Sequence, residues 1–284
     1  VAGIRYVEQH PRQELRPHVE CLWLAADPRP RARREPERVV PDGCPELIVH
    51  LGDPWARLRD GRFRVQPRAF LAGTLTRPWL LRAGRRVLTL GIRFRPGQVR
   101  ALLPVSMRAA VDRETSLSAL VGAHPAAALV RELRAASSDG GRFAAAGAWL
   151  AALPGRSAAR ASAADQGVAA VLAARGAVRI DELALRLGAT RRAVERAFTR
   201  ELGISPKLFA RIVRLNAVLM GLGEAERQSA VDAALAAGYF DQSHLLRDFR
   251  RLAGRGPGAP RERDGELARH FTDPARLRLL LSGE

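Results

Sequence analysis

Up to about residue 95 the apolar positions come in short runs separated by chain breakers. Residues 47–51, 63–65, 69–72 and 87–94 are apolar and in part β-branched, a texture that predicts strands. Pro41-Asp-Gly43, Gly52-Asp-Pro54 and Asp60-Gly61 supply the turn chemistry between them. Residues 27–37, rich in Pro and Arg, predict an exposed loop. From Pro96 onward the apolar spacing becomes helical, over 97–103, 125–136 and 142–153. Residues 154–164 carry few large apolar side chains and predict a linker, after which the chain is helical with short interruptions. The pattern predicts an α+β N-terminal domain over 1–154, a small β-rich barrel or sheet plus helices. A linker over 155–166, an all-α domain over 167–264 and a helical tail over 265–284 complete it.

The all-α part contains an internal near-repeat. Its first unit reads Ile180-Asp-Glu-Leu-Ala-Leu-Arg-Leu-Gly188, Ala189-Thr190, Arg191-Arg-Ala-Val-Glu-Arg-Ala-Phe198, then Gly203-Ile-Ser-Pro206. Its second reads Val231-Asp-Ala-Ala-Leu-Ala-Ala-Gly238, Tyr239-Phe240, Asp241-Gln-Ser-His-Leu-Leu-Arg-Asp-Phe249, then Gly254-Arg-Gly-Pro257. Gly188 and Gly238 are offset by 50 residues, whereas Phe198, Gly203 and Pro206 are offset by 51 from Phe249, Gly254 and Pro257. One extra residue in the second turn accounts for the step. Ala184 and Ala234 are small enough to let a second helix cross the first closely. Gly188 and Gly238 end those first helices where glycine is least penalised. Thr190 can cap the second helix of the first unit. Val194 with Phe198, and Leu245 with Phe249, are i,i+4 pairs that turn one face inward. Two helices joined by so short a turn make a helix-turn-helix, whose second helix can enter a major groove. Two such units in register, with matching Gly–Phe–Gly–Pro punctuation, speak against a plain helical bundle.

On these residues, 168–262 resemble the DNA-binding domain of the AraC/XylS family of transcription regulators. The family's second-unit signature, of the type G-F-S-D-Q-S-H-F-x-R-x-F, is matched by Gly238-Tyr-Phe-Asp-Gln-Ser-His-Leu-Leu-Arg-Asp-Phe249. Phe240 stands where the family has a Ser cap, which shifts capping to Asp241. The resemblance implies a central helix from Pro206 to about Leu222, ~25 Å long at 1.5 Å per residue. Such a helix can hold two recognition helices about one DNA turn, ~34 Å, apart. Tyr6, Leu15-Arg-Pro-His-Val-Glu-Cys-Leu-Trp23, Val40-Pro-Asp-Gly-Cys-Pro-Glu-Leu-Ile48 and Gly91-Ile-Arg-Phe-Arg-Pro-Gly97 are similar to an uncharacterised sensor domain found ahead of such DNA-binding domains.

The resemblance also implies where DNA is touched. On the first recognition helix Arg191, Arg192, Glu195 and Arg196 face outward once Ala193, Val194, Ala197 and Phe198 face inward. Arg196 matches the position where the family commonly sets an arginine against base edges, and an arginine can bind guanine O6 and N7 together. Glu195 either accepts from cytosine N4 or holds Arg191 or Arg192 in place. On the second helix Ser243, His244, Leu246 and Arg247 are the outward candidates. Arg247 is the stronger contact, and His244 packs or meets phosphate. Thr190, Gln242, Arg250, Arg251 and the starts of both helices suit phosphate, which sets register without reading sequence.

Charge modifies this picture less than its size suggests. The 284 residues carry a net charge of +18, which favours an anionic partner. Yet 26 basic against 14 acidic residues lie within 1–159 (+12), and only +6 falls on 160–284. Lys207 is the sole lysine among 47 basic residues, a compositional bias and not a phosphate-binding patch. No apolar run approaches the ~20 residues needed to cross a bilayer, and no signal-peptide pattern opens the chain, so a soluble intracellular protein with no membrane partner is expected. Cys21 and Cys44 are too few for a disulfide framework or a four-cysteine zinc site and are expected as small buried residues.

In the N-terminal domain Trp23, His50, Trp55, Trp79 and Arg93 are candidates to line an effector pocket. The alternative for the tryptophans is ordinary core, and for Arg93 a pairing with Glu46. His10, His18 and His50 lack metal-binding spacing, so neither a metal nor a cofactor is expected. Two enzyme readings compete with a regulator: a cupin-like metal enzyme, and a DNA-repair methyl acceptor fused to a helix-turn-helix domain. The second needs a cysteine cluster that the sequence does not contain. No Ser-His-Asp array, P-loop or H-E-x-x-H motif is present. The expected partners are double-stranded DNA, RNA polymerase, a small-molecule effector and a second copy of the chain.

Overall fold

The structure, a computed structural model, describes residues 4–27, 35–154, 162–224 and 242–256. Within the N-terminal part ten strands form two antiparallel sheets. They are β1 (Arg5–Gln9), β2 (Val19–Asp27), β3 (Glu37–Val39), β4 (Glu46–His50), β5 (Ala56–Arg59), β6 (Arg62–Val65), β7 (Ala69–Ala72), β8 (Trp79–Arg82), β9 (Val87–Phe94) and β10 (Glu114–Ser116). The larger sheet runs β1-β2-β9-β4-β7-β10 and the smaller β3-β8-β5-β6. Asp60 and Gly61, at φ 49° and 74°, close the β5–β6 hairpin. Both central residues are then left-handed, the twist that suits a two-residue hairpin loop.

Both faces of the large sheet are covered. Leu22, Leu24, Leu47, Leu71, Leu90 and Ile92 point to one core, which they share with residues of α1 (Val99–Leu102), α2 (Met107–Ala110), α3 (Leu117–Val121), α4 (Ala123–Ala135) and α5 (Asp139–Ala152). Their neighbours Cys21, Trp23, Ala25, Ile48 and Phe70 point the other way, into a second core shared with Trp55 and Ala83. Strands buried on both sides read as continuous apolar runs and not as alternation. For that reason β4, β7 and β9 stand close to the sequence expectation. β1, β3, β5 and β8, shorter or more polar, do not announce themselves.

One expectation is corrected here. Residues 163–166, assigned above to the linker, are the first turn of α6 (Ala163–Ala173). The Ser162 side chain accepts from the Asp165 backbone, and the Asp165 carboxylate accepts in return from the Ser162 N–H. That reciprocal cap starts a helix in a stretch too poor in large side chains to show an apolar stripe. The small residues serve close packing: a Cβ on Gly167 would fall 2.6 Å from the Phe198 ring. Among the residues expected to form a linker, 155–161 lie outside the described residues, as does the tail over 265–284.

The C-terminal part continues with α7 (Ile180–Arg186), α8 (Arg191–Glu201), α9 (Pro206–Glu224) and α10 (Gln242–Asp248), the last extended by a wider turn over Phe249–Ala253. Its core gathers Val168, Leu183, Val194, Phe198, Phe209, Val213, Leu245 and Phe249, and Val40 and Cys44 of the N-terminal part pack into it. The two parts therefore share a core and do not hang from a free linker. Cys21 and Cys44 are both buried thiols.

Candidate functional site

The first helix-turn-helix unit is fully described. α7 ends at Leu187, and Gly188 follows in the left-handed conformation at φ 58°. Thr190 then caps α8, its side chain accepting from the Ala193 N–H at 3.2 Å. Val194 and Phe198 are fully buried and Ala197 nearly so, which fixes the helix rotation and leaves Arg191, Arg192 and Arg196 exposed. The Glu195 carboxylate accepts from Arg191 Nε at 3.1 Å, while Arg191 also reaches Asp181 at 3.2 Å. Arg191 is thereby pinned along the helix. Arg192 and Arg196 extend from the same exposed face.

In the second unit the first helix and the turn, Val231 to Asp241 with Gly238, Tyr239 and Phe240, lie outside the described residues. So does the side chain of Gln242. On α10 Leu245 is buried at 2% exposure and Phe249 at 0%. That orientation exposes Ser243, Arg247, Arg250 and Arg251 and leaves His244 and Leu246 half-buried. His244 packs rather than projects, its Nε2 lying 3.8 Å from Asp248. Asp248, with no exposed surface, pairs with Arg211 of α9. Sequence reasoning did not anticipate this pair; an acidic residue just before the inward Phe249 is its one visible trace. At 19 residues α9 is ~28 Å long, close to the expected spacer length.

The outward face of α8 has a neighbour. Arg192, Glu195, Arg196 and Thr199 line one wall of a wide cleft whose other wall is residues 103–108 of the N-terminal part. Three contacts fix that arrangement. Arg100 pairs with Glu201 at 2.9 Å, Thr74 Oγ1 donates to the Leu202 carbonyl at 2.7 Å, and a Cβ on Gly203 would collide with the Met107 carbonyl. The equivalent glycine of the second unit, Gly254, also meets the N-terminal part, beside Pro78 and Arg38.

The effector candidates do converge. Trp23, His50, Trp55, Trp79 and Arg93 all line one cavity of about 70 Å³ between the two sheets. His50 is held neutral there: burial lowers its pKa from 6.5 to about 4, and its ring nitrogens meet Thr89 at 3.1 Å and Gln66 at 3.3 Å. Arg93 lines the wall with its guanidinium engaged by three carboxylates, Glu20, Asp42 and Glu46, at 3.1, 2.6 and 2.8 Å. The expected Glu46 pairing is thus one of three. Among the described residues no group of three His, Cys, Asp or Glu side chains is arranged to hold a metal, and no helix is long and apolar enough to cross a membrane.

Residues 7–116 match a family described as a domain of unknown function (DUF6597), and residues 183–263 match a helix-turn-helix domain. No curated protein matches the chain. Among solved structures the chain is similar to ToxT from Vibrio cholerae, at 8% identity and TM-score 0.46, covering 83% of this chain and 95% of that one. An unsaturated fatty acid-bound wild-type ToxT from Vibrio cholerae strain SCE256 is similar at 7% identity and TM-score 0.42, covering 80% and 95%. The AraC-like transcriptional activator CuxR is similar at 10% identity and TM-score 0.26, covering 69% and 79%. With likeness that slight, assignment rests on the match over 183–263 and on the capped, outward-facing helix just described. The C-terminal part carries a helix-turn-helix domain, and a domain of unknown function stands ahead of it.

Proposed function

We propose that this chain is an AraC-type, DNA-binding transcription regulator that reads two consecutive major grooves on one side of a duplex, α8 entering one and α10 the next. The observation that carries the reading is the pairing of an inward aromatic with an outward arginine on each helix: Phe198 with Arg196, and Phe249 with Arg247. The ~28 Å length of α9 supports a separation near one DNA turn. Arg192, Arg196 and Arg247 are the base-reading candidates, while Thr190, Arg191, Ser243, Arg250 and Arg251 suit phosphate. The cavity between the sheets supports a sensing role for the N-terminal domain, and a second copy of the chain and RNA polymerase are the protein partners of this reading. A genome-wide map of bound sites supplies the operator. On that operator Arg196→Ala relaxes preference at one set of base pairs, and Arg247→Ala at another roughly 10 base pairs away. If both variants relax the same positions, or neither relaxes any, the two-groove reading fails.

A further inference from the structure

The cavity between the sheets is lined by aromatic and polar side chains. The indole N–H groups of Trp55 and Trp79 are buried with no acceptor from the protein, in side chains only 3% and 4% exposed. A buried donor without an acceptor is costly, and a ligand that brings the acceptor removes that cost. Phe70 adds another aromatic surface to the wall. His50 offers no charge, because its imidazole is neutral and both ring nitrogens are engaged. Near Arg93 three carboxylates face one guanidinium, an excess of negative charge that repels an anion.

The chamber is also small. At about 70 Å³ it falls well short of the roughly 300–1,000 Å³ of ordinary ligand sites. A ligand must therefore push part of the wall outward. Much of the wall is held in strand ladders, by β4, β7 and β9 on one side and β8 on the other. The rest comes from the connections at Trp55, at Gln66, around Asp42, and around Gly73 and Leu75. The last two loops grip the DNA-binding domain. Asn216 Nδ2 of α9 donates to the Pro41 carbonyl at 2.9 Å, Gly43 is packed so closely on Phe209 that a Cβ would lie 2.7 Å from the ring, and Thr74 holds Leu202.

We propose that the cavity binds an uncharged, planar aromatic molecule carrying a hydrogen-bond acceptor, and that filling it loosens both loops from α8 and α9 and so raises DNA affinity. This rests on the reading of the N-terminal domain as the sensor. The molecule stacks among the tryptophans and accepts from Trp55 and Trp79. The displaced loops release the C-terminal part from residues 103–108, which frees the outward face of α8. By linkage, bound DNA raises the affinity for the molecule by the same factor.

The test uses the full chain labelled with ¹⁵N at its indoles and three uncharged probes: 2-quinolone, coumarin and caffeine. At least one probe is expected to shift the Trp55 and Trp79 indole resonances. Trp149 serves as the internal control, because its N–H already donates to the Pro125 carbonyl at 2.9 Å and should stay in place. Benzoate and benzyltrimethylammonium should shift neither cavity indole. Affinity for a random-sequence 40-base-pair duplex should rise about fivefold or more with the active probe, the scale of ordinary allosteric coupling. Thr74→Val, which cuts one loop contact without touching the cavity wall, should raise it with no probe present. The proposal is overturned if no uncharged probe moves either indole, or if a charged one moves them instead. It is overturned equally if the indoles move while duplex affinity stays level with probe and in Thr74→Val. Failure of every form to bind duplex would instead sink the DNA reading, and is distinguishable because the indole shifts are read without DNA.

Discussion

In the first helix-turn-helix unit the charged residues of the recognition helix lie outside it: Arg191 spans Asp181 and Glu195 on the exposed surface. In the second the decisive charge is inside, where Asp248, fully buried, ties α10 to Arg211 of α9. Exposed pairs of the first kind contribute little to stability, whereas a buried carboxylate cannot lose its partner cheaply. The second helix is therefore fixed to the central helix by the C-terminal part itself. The first is positioned also from without, through Arg100, Thr74 and Met107 of the N-terminal domain. On the proposed reading the N-terminal domain acts on DNA binding through α8, while Asp248 holds α10 to α9.

The largest effect should come from the internal anchor. Arg211→Ala leaves the Asp248 carboxylate buried without its cation and is expected to destabilise the fold by about 3–5 kcal/mol, read as a lower urea midpoint. If that variant unfolds like the parent, the second unit is not anchored as described. On the controlling side, His50 gives a pH signature. The unfolded chain takes up a proton below about pH 6.5, whereas the folded chain resists until about pH 4. Its contribution is complete above pH 6.5 and is lost as pH falls toward 4, amounting to ~2–3 kcal/mol. Urea titrations at pH 7 and pH 4.5 should show a smaller acid loss in His50→Gln than in the parent; equal losses would mean that the imidazole is not held neutral.

Smaller effects separate reading from holding. Arg196→Ala is expected to weaken operator binding by ~1–3 kcal/mol and to relax sequence preference, measured by competition with mismatched duplexes. Undiminished discrimination in that variant would remove α8 from base reading. Thr190→Ala deletes the cap of α8 and should cost about 1 kcal/mol of stability, with calorimetry showing the drop in Tm.

The DNA-binding unit was legible because its signals are local. Gly188, Thr190, Val194 and Phe198 each act within one or two turns of the chain, and each stands in the structure where its chemistry predicts. The start of α6 was missed although Ser162 and Asp165 carried it, because alanine-rich sequence hides a helix that packs by closeness and not by bulk. The tryptophans were recognisable as pocket candidates by type alone. That they meet in one chamber depends on the pleat of β2 and β4, which turns Trp23, Ile48 and His50 away from the helical core.

Sequence alone determined the first helix-turn-helix unit and the inward face of α10, since capping, punctuation and i,i+4 burial are short-range properties of the chain. Tertiary structure alone decided that Val40 and Cys44 join the C-terminal core, that Thr74 holds Leu202, and that the face of α8 shares a cleft with residues 103–108. Those contacts join residues more than eighty positions apart. Their partners are chosen by the shape and hydrogen-bonding needs of two folded surfaces, which no periodicity along the chain records.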